Sequence, residues 1–173
     1  MSVDFFWRRV SGEVPAARSP RELAALVPYW SDPEFDPLRA AGLVLGVERN
    51  GYLMHCALTA FGSATGPAQL PVFGGEFLTE GEEHPEYGFV GTELWVLDPP
   101  GVREAARFLR DLDIETCVWT QDSALALEVN TPGFARRWDA DRAESLVEDL
   151  AALRTFFLAA AEAGDAVVKF ESA

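Results

Sequence analysis

The sequence predicts a single compact α+β domain over residues 1–173, with a small, mostly antiparallel sheet packed against several helices, including a long one near the C-terminus. Three observations predict it. Short apolar runs alternate with polar residues at period two, the pattern of half-buried strands. Between them stand longer segments whose apolar residues recur every three to four positions behind recognisable helix starts. Finally, 49% of the 173 residues are hydrophobic, with five Trp and twelve Phe, enough apolar surface to offset the entropy of ordering one domain.

Taken in order, Val3, Phe5 and Trp7 alternate with Asp4 and Arg8 as a strand that Gly12 and Pro15 end. Ser19-Pro20-Arg21-Glu22 reads as a capping box with proline at the first helical position, and its helix turns Leu23, Leu26 and Val27 inward before Pro28. Asp32-Pro33 and Asp36-Pro37 mark an irregular loop. Residues 52–61 fit either a short buried helix or a strand. Met, Leu and Ala outnumber β-branched residues there, which favours the helix. A loop over 62–71 leads to two strands, 72–78 and 88–97, joined by an acidic turn over 80–86.

Asp98-Pro99 starts a helix carrying Val102, Ala105, Ala106, Leu109 and Leu112 at helical spacing. A shorter helix covers 121–128, before a Thr131-Pro132-Gly133 turn. Asp141 and Glu144 resemble a capping box for the last helix, whose stripe is Leu146, Leu150, Leu153, Phe157 and Ala160. Gly164 stands where a left-handed cap belongs, and 166–170 form a closing strand.

Charge narrows the function classes. Fourteen basic residues face twenty-eight acidic ones, a net charge of −14 that repels a phosphate backbone, so nucleic-acid binding is not expected. Between Arg49 and Arg103 there is no Lys or Arg, while Glu76, Glu80, Glu82, Glu83, Glu86, Glu93 and Asp98 all fall there. Lys169 is the only lysine, and with abundant Ala, Arg and Gly this composition suggests a GC-rich bacterial genome. Cys56 and Cys117 are too few for a disulfide framework and read as reduced thiols. Asp4, Arg8 and Arg9 interrupt the first apolar stretch, unlike a signal peptide, and the longest run free of polar residues, 40–47, is far short of a membrane span. The expected setting is the cytoplasm, with no membrane association.

The run Leu53-Met54-His55-Cys56-Ala57-Leu58-Thr59-Ala60 resembles the leucine-histidine, then leucine-threonine-glycine helix of the YfbM-like family, a bacterial family whose domain has no assigned function. Val72-Phe73-Gly74-Gly75-Glu76 is similar to the Gly-Gly-Glu segment that follows in that family. The likeness continues through Tyr87-Gly88-Phe89-Val90-Gly91 and the helix after Asp98. It then takes in the long last helix with Leu153, Phe156 and Phe157, and Ala161-Glu162-Ala163-Gly164-Asp165-Ala166. It covers roughly residues 45–170. Three departures stand out: the family's Met-Gly-Met-type opening is absent, Ala60 replaces its helix-ending glycine, and its Tyr-Pro turn has no counterpart beyond Thr131-Pro132-Gly133. The resemblance implies a compact α+β fold in a bacterial, cytoplasmic setting, and supplies no catalytic residues.

Few constellations carry chemistry. Asp32, Glu34 and Asp36 have the spacing that opens an EF-hand loop, but Pro37 and Leu43 stand where its glycine and glutamate belong. His55 and His84 lack a partner at metal spacing, the cysteines form no Cys-x-x-Cys pair, and neither metal nor cofactor is expected. Gly74-Gly75 lacks the rest of a phosphate loop, and Ser63, Ser123 and Ser145 lack the nucleophile elbow. Trp95 and Trp119, near Glu93 and Asp122, could hold a cation but read first as core.

Two sites remain. An acidic docking surface of Glu80, Glu82, Glu83, Glu86 and Glu93 suits a basic protein partner, and with no catalytic signature it points to a non-enzymatic binding module of inhibitor or immunity type. The alternative is a small-molecule binder or enzyme with a pocket around His55, Glu76, Tyr87 and Trp95, His55 being the side chain that titrates near neutrality in a half-buried setting. A structural subunit or homodimer is a third reading.

Overall fold

The computed structural model describes residues 3–62, 66–86, 88–129 and 137–172. In chain order its elements are β1 (Asp4–Ser11), α1 (Pro20–Ala24), α2 (Phe35–Ala40), β2 (Val44–Glu48), α3 (Gly51–Thr59), β3 (Glu76–His84) and β4 (Gly88–Leu97). They continue with α4 (Pro99–Asp111), α5 (Ile114–Trp119), α6 (Asp122–Val129), α7 (Ala140–Ala163) and β5 (Asp165–Ser172). The strands form one sheet in the order β2-β1-β5-β4-β3, with every neighbouring pair antiparallel. The first and last strands therefore lie side by side inside the sheet, Asp4 opposite Ser172 and Ser11 opposite Asp165.

Local chemistry explains the helix starts. Ser19 accepts the Glu22 N–H while the Glu22 carboxylate accepts the Ser19 N–H at 2.8 Å, the reciprocal pair that the sequence announces. Asp98 caps α4 by accepting the Gly101 N–H at 2.8 Å, with proline in the first turn. The long α7 starts from Asp139, which accepts the Arg142 N–H at 2.9 Å, so the cap lies two residues before the expected Asp141. Gly164 ends it at φ 73°, in the left-handed conformation that favours glycine.

The sheet is covered on both faces at its centre, around β1 and β5. On one face Phe5, Trp7, Val47, Leu97 and Val167 meet Leu53 of α3, Leu109 of α4, Val118 of α5, Leu125 of α6 and Leu146, Leu150, Leu153 and Phe157 of α7. On the other, Phe6, Val44, Leu94, Val96 and Val168 meet Leu23, Val27 and Phe35. Phe6 packs edge-on against Tyr29 at 5.6 Å and against Phe35 at 6.2 Å. Consecutive Phe5, Phe6 and Trp7 are all buried, because β1 is sandwiched rather than one-sided.

Three expectations are corrected. The loop holding Asp36-Pro37 contains helix α2. Strand β3 starts at Glu76 rather than at position 72, because 66–75 is held as turns by the side chains described below, and it runs on to His84 through the expected acidic turn. β2 and α5 had no counterpart in the sequence reading. Helix α3 forms as expected and ends on Ala60 at φ 50°, followed by Phe61 at φ 56°, so a non-glycine residue takes the left-handed cap. The turn at Thr131-Pro132-Gly133 lies outside the described residues.

Candidate functional site

The alternation of β5 points Val167 and Lys169 toward the helix-rich face and Val168 and Phe170 toward the other. Lys169 is consequently fully buried, 0% exposed. Its Nζ donates to Leu70 O at 2.7 Å and to Gly74 O, while Trp7 Nε1 donates to Pro71 O at 2.7 Å. These two central-strand side chains satisfy three carbonyls of the 66–75 segment, which would otherwise be buried without donors. Burial pushes the Lys169 amine well below its ordinary range.

His55 of α3 is half-buried next to this anchor. Its ring stands edge-on to Phe73 at 4.9 Å, and Phe73 in turn stands edge-on to Trp95 at 5.2 Å. Burial first, and any positive charge on Lys169 second, push the imidazole below its ordinary value. Its Nδ1 is buried with no hydrogen-bond partner among the described residues. The fold thus brings His55 and Trp95 onto one aromatic residue, Phe73. Glu76 does not join them: it is exposed and pairs with Val96, one residue out of step with Trp95, so alternation sends it to the opposite face. Tyr87 lies outside the described residues. A surface groove of about 330 Å³ lies along α4, lined by Pro67, Glu104, Arg107, Phe108, Asp111 and Leu112 and by none of the four pocket candidates.

Sequence reading missed Lys169 and Phe73 as site residues. The signal for Lys169 was present: a lone lysine stands at an inward position of the apolar run Ala-Val-Val-Lys-Phe. Phe73 gave none, being placed by the Gly74 and Pro71 carbonyl anchors.

The five docking carboxylates lie on a two-stranded ribbon. β3 and β4 pair from Glu76 opposite Val96 to His84 opposite Gly88, but β5 pairs only with Leu94–Leu97 of β4. Residues 79–86 and 88–93 therefore run on beyond the last β5 pairing. Glu80 and Glu82 fall on the face shared with Leu78, Glu83 and Glu93 on the face shared with Trp95, and Glu86 at the turn, so the charge surrounds the ribbon instead of forming one plane. Glu80 also accepts the Arg21 N–H at 3.0 Å, which ties the ribbon to α1. Gly81 opposes Gly91, and a Cβ on either would stand 2.6 Å from the other's Cα and 2.8 Å from Phe89 Cζ. The Phe89 ring thus covers a bare glycine pair, an arrangement that keeps such a ribbon extended. Glu93 lies near Glu171, whose carboxyl is pushed up by burial and then by that negative charge.

The thiols are poor nucleophiles. Burial pushes both Cys56 and Cys117 up, and Cys117 Sγ donates to Ala57 O at 3.3 Å. Tyr52, hydrogen-bonded with Cys56 and near Glu128, is pushed up to about 12. Among the described residues no three His, Cys, Asp or Glu side chains are grouped to hold a metal ion, and no helix is long and apolar enough to cross a membrane.

Comparison with known proteins yields a family and a fold. The family model described as a domain of unknown function, DUF1877, matches residues 52–170. The crystal structure of a protein of unknown function, YfbM from Escherichia coli, superposes with a TM-score of 0.58 at 17% identity, covering 98% of this chain and 99% of that one. At that identity the likeness is one of fold. No curated protein matches the chain.

Proposed function

The chain belongs to the DUF1877 family, which carries no assigned activity, and from its own geometry we propose that it is a non-catalytic binding module whose acidic β3–β4 ribbon docks a basic protein, in the manner of an inhibitor or immunity protein. One observation carries this reading: the ribbon outruns the sheet, so Glu82, Glu83, Glu86 and Glu93 project on an exposed arm. Carboxylates so placed raise the encounter rate with a cationic partner and disfavour acidic ones, while each exposed ion pair adds little by itself. Binding should therefore be steeply salt-dependent.

The test compares the wild-type protein with a Glu82→Gln, Glu83→Gln, Glu86→Gln triple variant as baits at low and high salt. The changes are on exposed side chains, so the melting temperature is expected to move little. Wild type should retain a discrete basic protein at low salt and release it at high salt, and the variant should retain at least tenfold less. Equal retention by both baits would remove the ribbon from the interface.

A second reading, a small-molecule pocket at His55, draws on the unpartnered Nδ1 beside Lys169. A thermal-shift screen of metabolites against wild type and His55→Leu separates the two. A compound that stabilises wild type alone supports the pocket, and no stabilisation of either counts against it.

A further inference from the structure

Resting on the acidic-ribbon reading, we propose that the outer edge of β3 takes up an extended basic peptide as a sixth strand of the sheet. β3 is nine residues long and ends the strand order, so one side of its backbone faces away from β4. Among the described residues no backbone hydrogen bond reaches residues 76–83 from outside the pairing with β4. Nine residues offer about 30 Å of edge, the length of a full recognition strand.

Charge selects the occupant. An open edge ordinarily invites a second copy of the same chain, and proteins block this with like charges on the edge strand. Here a second β3 would bring Glu80, Glu82 and Glu83 against their own counterparts, which disfavours self-pairing. The same carboxylates suit a strand carrying lysine or arginine at alternate positions. On one face such side chains would lie next to Glu82, and next to Glu80, whose carboxylate also accepts the Arg21 N–H. On the other face the Phe89 ring covers Gly81 and Glu83 is the one carboxylate of β3, which suits uncharged side chains between the basic ones. The recognised pattern is thus alternating basic and uncharged residues, with backbone pairing supplying affinity and the carboxylates supplying register.

The probe is an acetylated nine-residue peptide with lysine at alternate positions and valine or threonine between. Its control is the same peptide N-methylated at every residue, which keeps the charges and removes the backbone donors. Fluorescence anisotropy at low salt gives affinity, and amide hydrogen exchange reports on residues 76–84. We expect the unmodified peptide to bind at least tenfold more tightly than the control and to slow exchange in 76–84, with Glu82→Gln weakening it severalfold. Equal binding of both peptides without protection of β3 overturns strand addition and leaves charge-only docking intact. Binding of neither overturns the ribbon reading as well. A concentration-dependent dimer that protects 76–84 would assign the edge to a second copy, and so overturn the proposal.

Discussion

Lys169→Ala is expected to destabilise the protein by about 3–5 kcal/mol, the sum of a core cavity and two buried carbonyls left without donors. Leu70 O and Gly74 O lose their partner at once, and the 66–75 segment is then held only by the Trp7–Pro71 hydrogen bond among the side-chain anchors described above. Lys169→Met restores bulk without a donor and should recover part of the loss. Urea unfolding followed by Trp fluorescence measures all three proteins. A loss below about 0.5 kcal/mol for the alanine variant, the level of an ordinary surface change, would mean that the segment holds itself.

The same residue sets a pH dependence whose sign follows from proton counting. The unfolded chain keeps its lysine protonated up to about 10.5, whereas the folded protein releases that proton at a lower pH. Between the two values the unfolded state binds more protons, so folding stability rises with pH through this window and falls as pH falls toward the folded value. The slope is at most about 1.4 kcal/mol per pH unit. Tyr52, Cys56 and Cys117 are pushed up and act in the opposite sense at alkaline pH, but they remain in Lys169→Met and cancel in the comparison. The stability difference between wild type and Lys169→Met should therefore grow in favour of wild type from pH 7 to pH 9.5. Parallel profiles would show an amine that stays charged in the core.

Gly75→Ala is expected to cost about 2–4 kcal/mol, from backbone strain plus overpacking. Gly75 has φ +104°, and a Cβ there would lie 2.4 Å from the Val96 carbonyl oxygen, a backbone atom that cannot swing away. Gly88 supplies the control. It has φ +71° but no atom within 4 Å of an added Cβ, so Gly88→Ala carries only the conformational penalty, about 1–2 kcal/mol. Thermal unfolding should rank the two clearly, and equal losses would refute a steric role for the Val96 oxygen. Because Gly75 joins the anchored segment to β3, Gly75→Ala is also expected to disturb the ribbon's register on β4.

How far the sequence could be read depended on whether the deciding interaction was local. The capping box at Ser19 and the caps at Asp98 and Gly164 are written within a few residues of each helix end, and each appears where expected. The antiparallel sheet and the long last helix follow from periodicity and were equally legible. Length of β3 was not. Glu80, Glu82 and Glu83 have the composition of a turn, and they are extended because β4 supplies the ladder and Phe89 covers Gly81 and Gly91. The candidate pocket was half legible for the same reason: His55 and Trp95 meet only through Phe73, and Phe73 is placed by Lys169 and Trp7 from strands far away in sequence. Glu76 could have been excluded once its register against Val96 was known, but register is a tertiary quantity.

The adjacency of β1 and β5 has a kinetic consequence. Before residues 165–172 are in place, the chain can form the β3–β4 hairpin and can pair β1 with β2, but these two pieces of sheet have no strand in common. The strand that joins them is the last to enter, and it carries Lys169 into the centre with it. Assembly thus depends on contacts between opposite ends of the sequence, which slows folding relative to a domain built from local pairings. It also places the two ends of the sheet-forming chain next to each other, so a circular permutant joined there and opened in the Pro85–Glu86 turn should keep the fold while shortening the search that completes it.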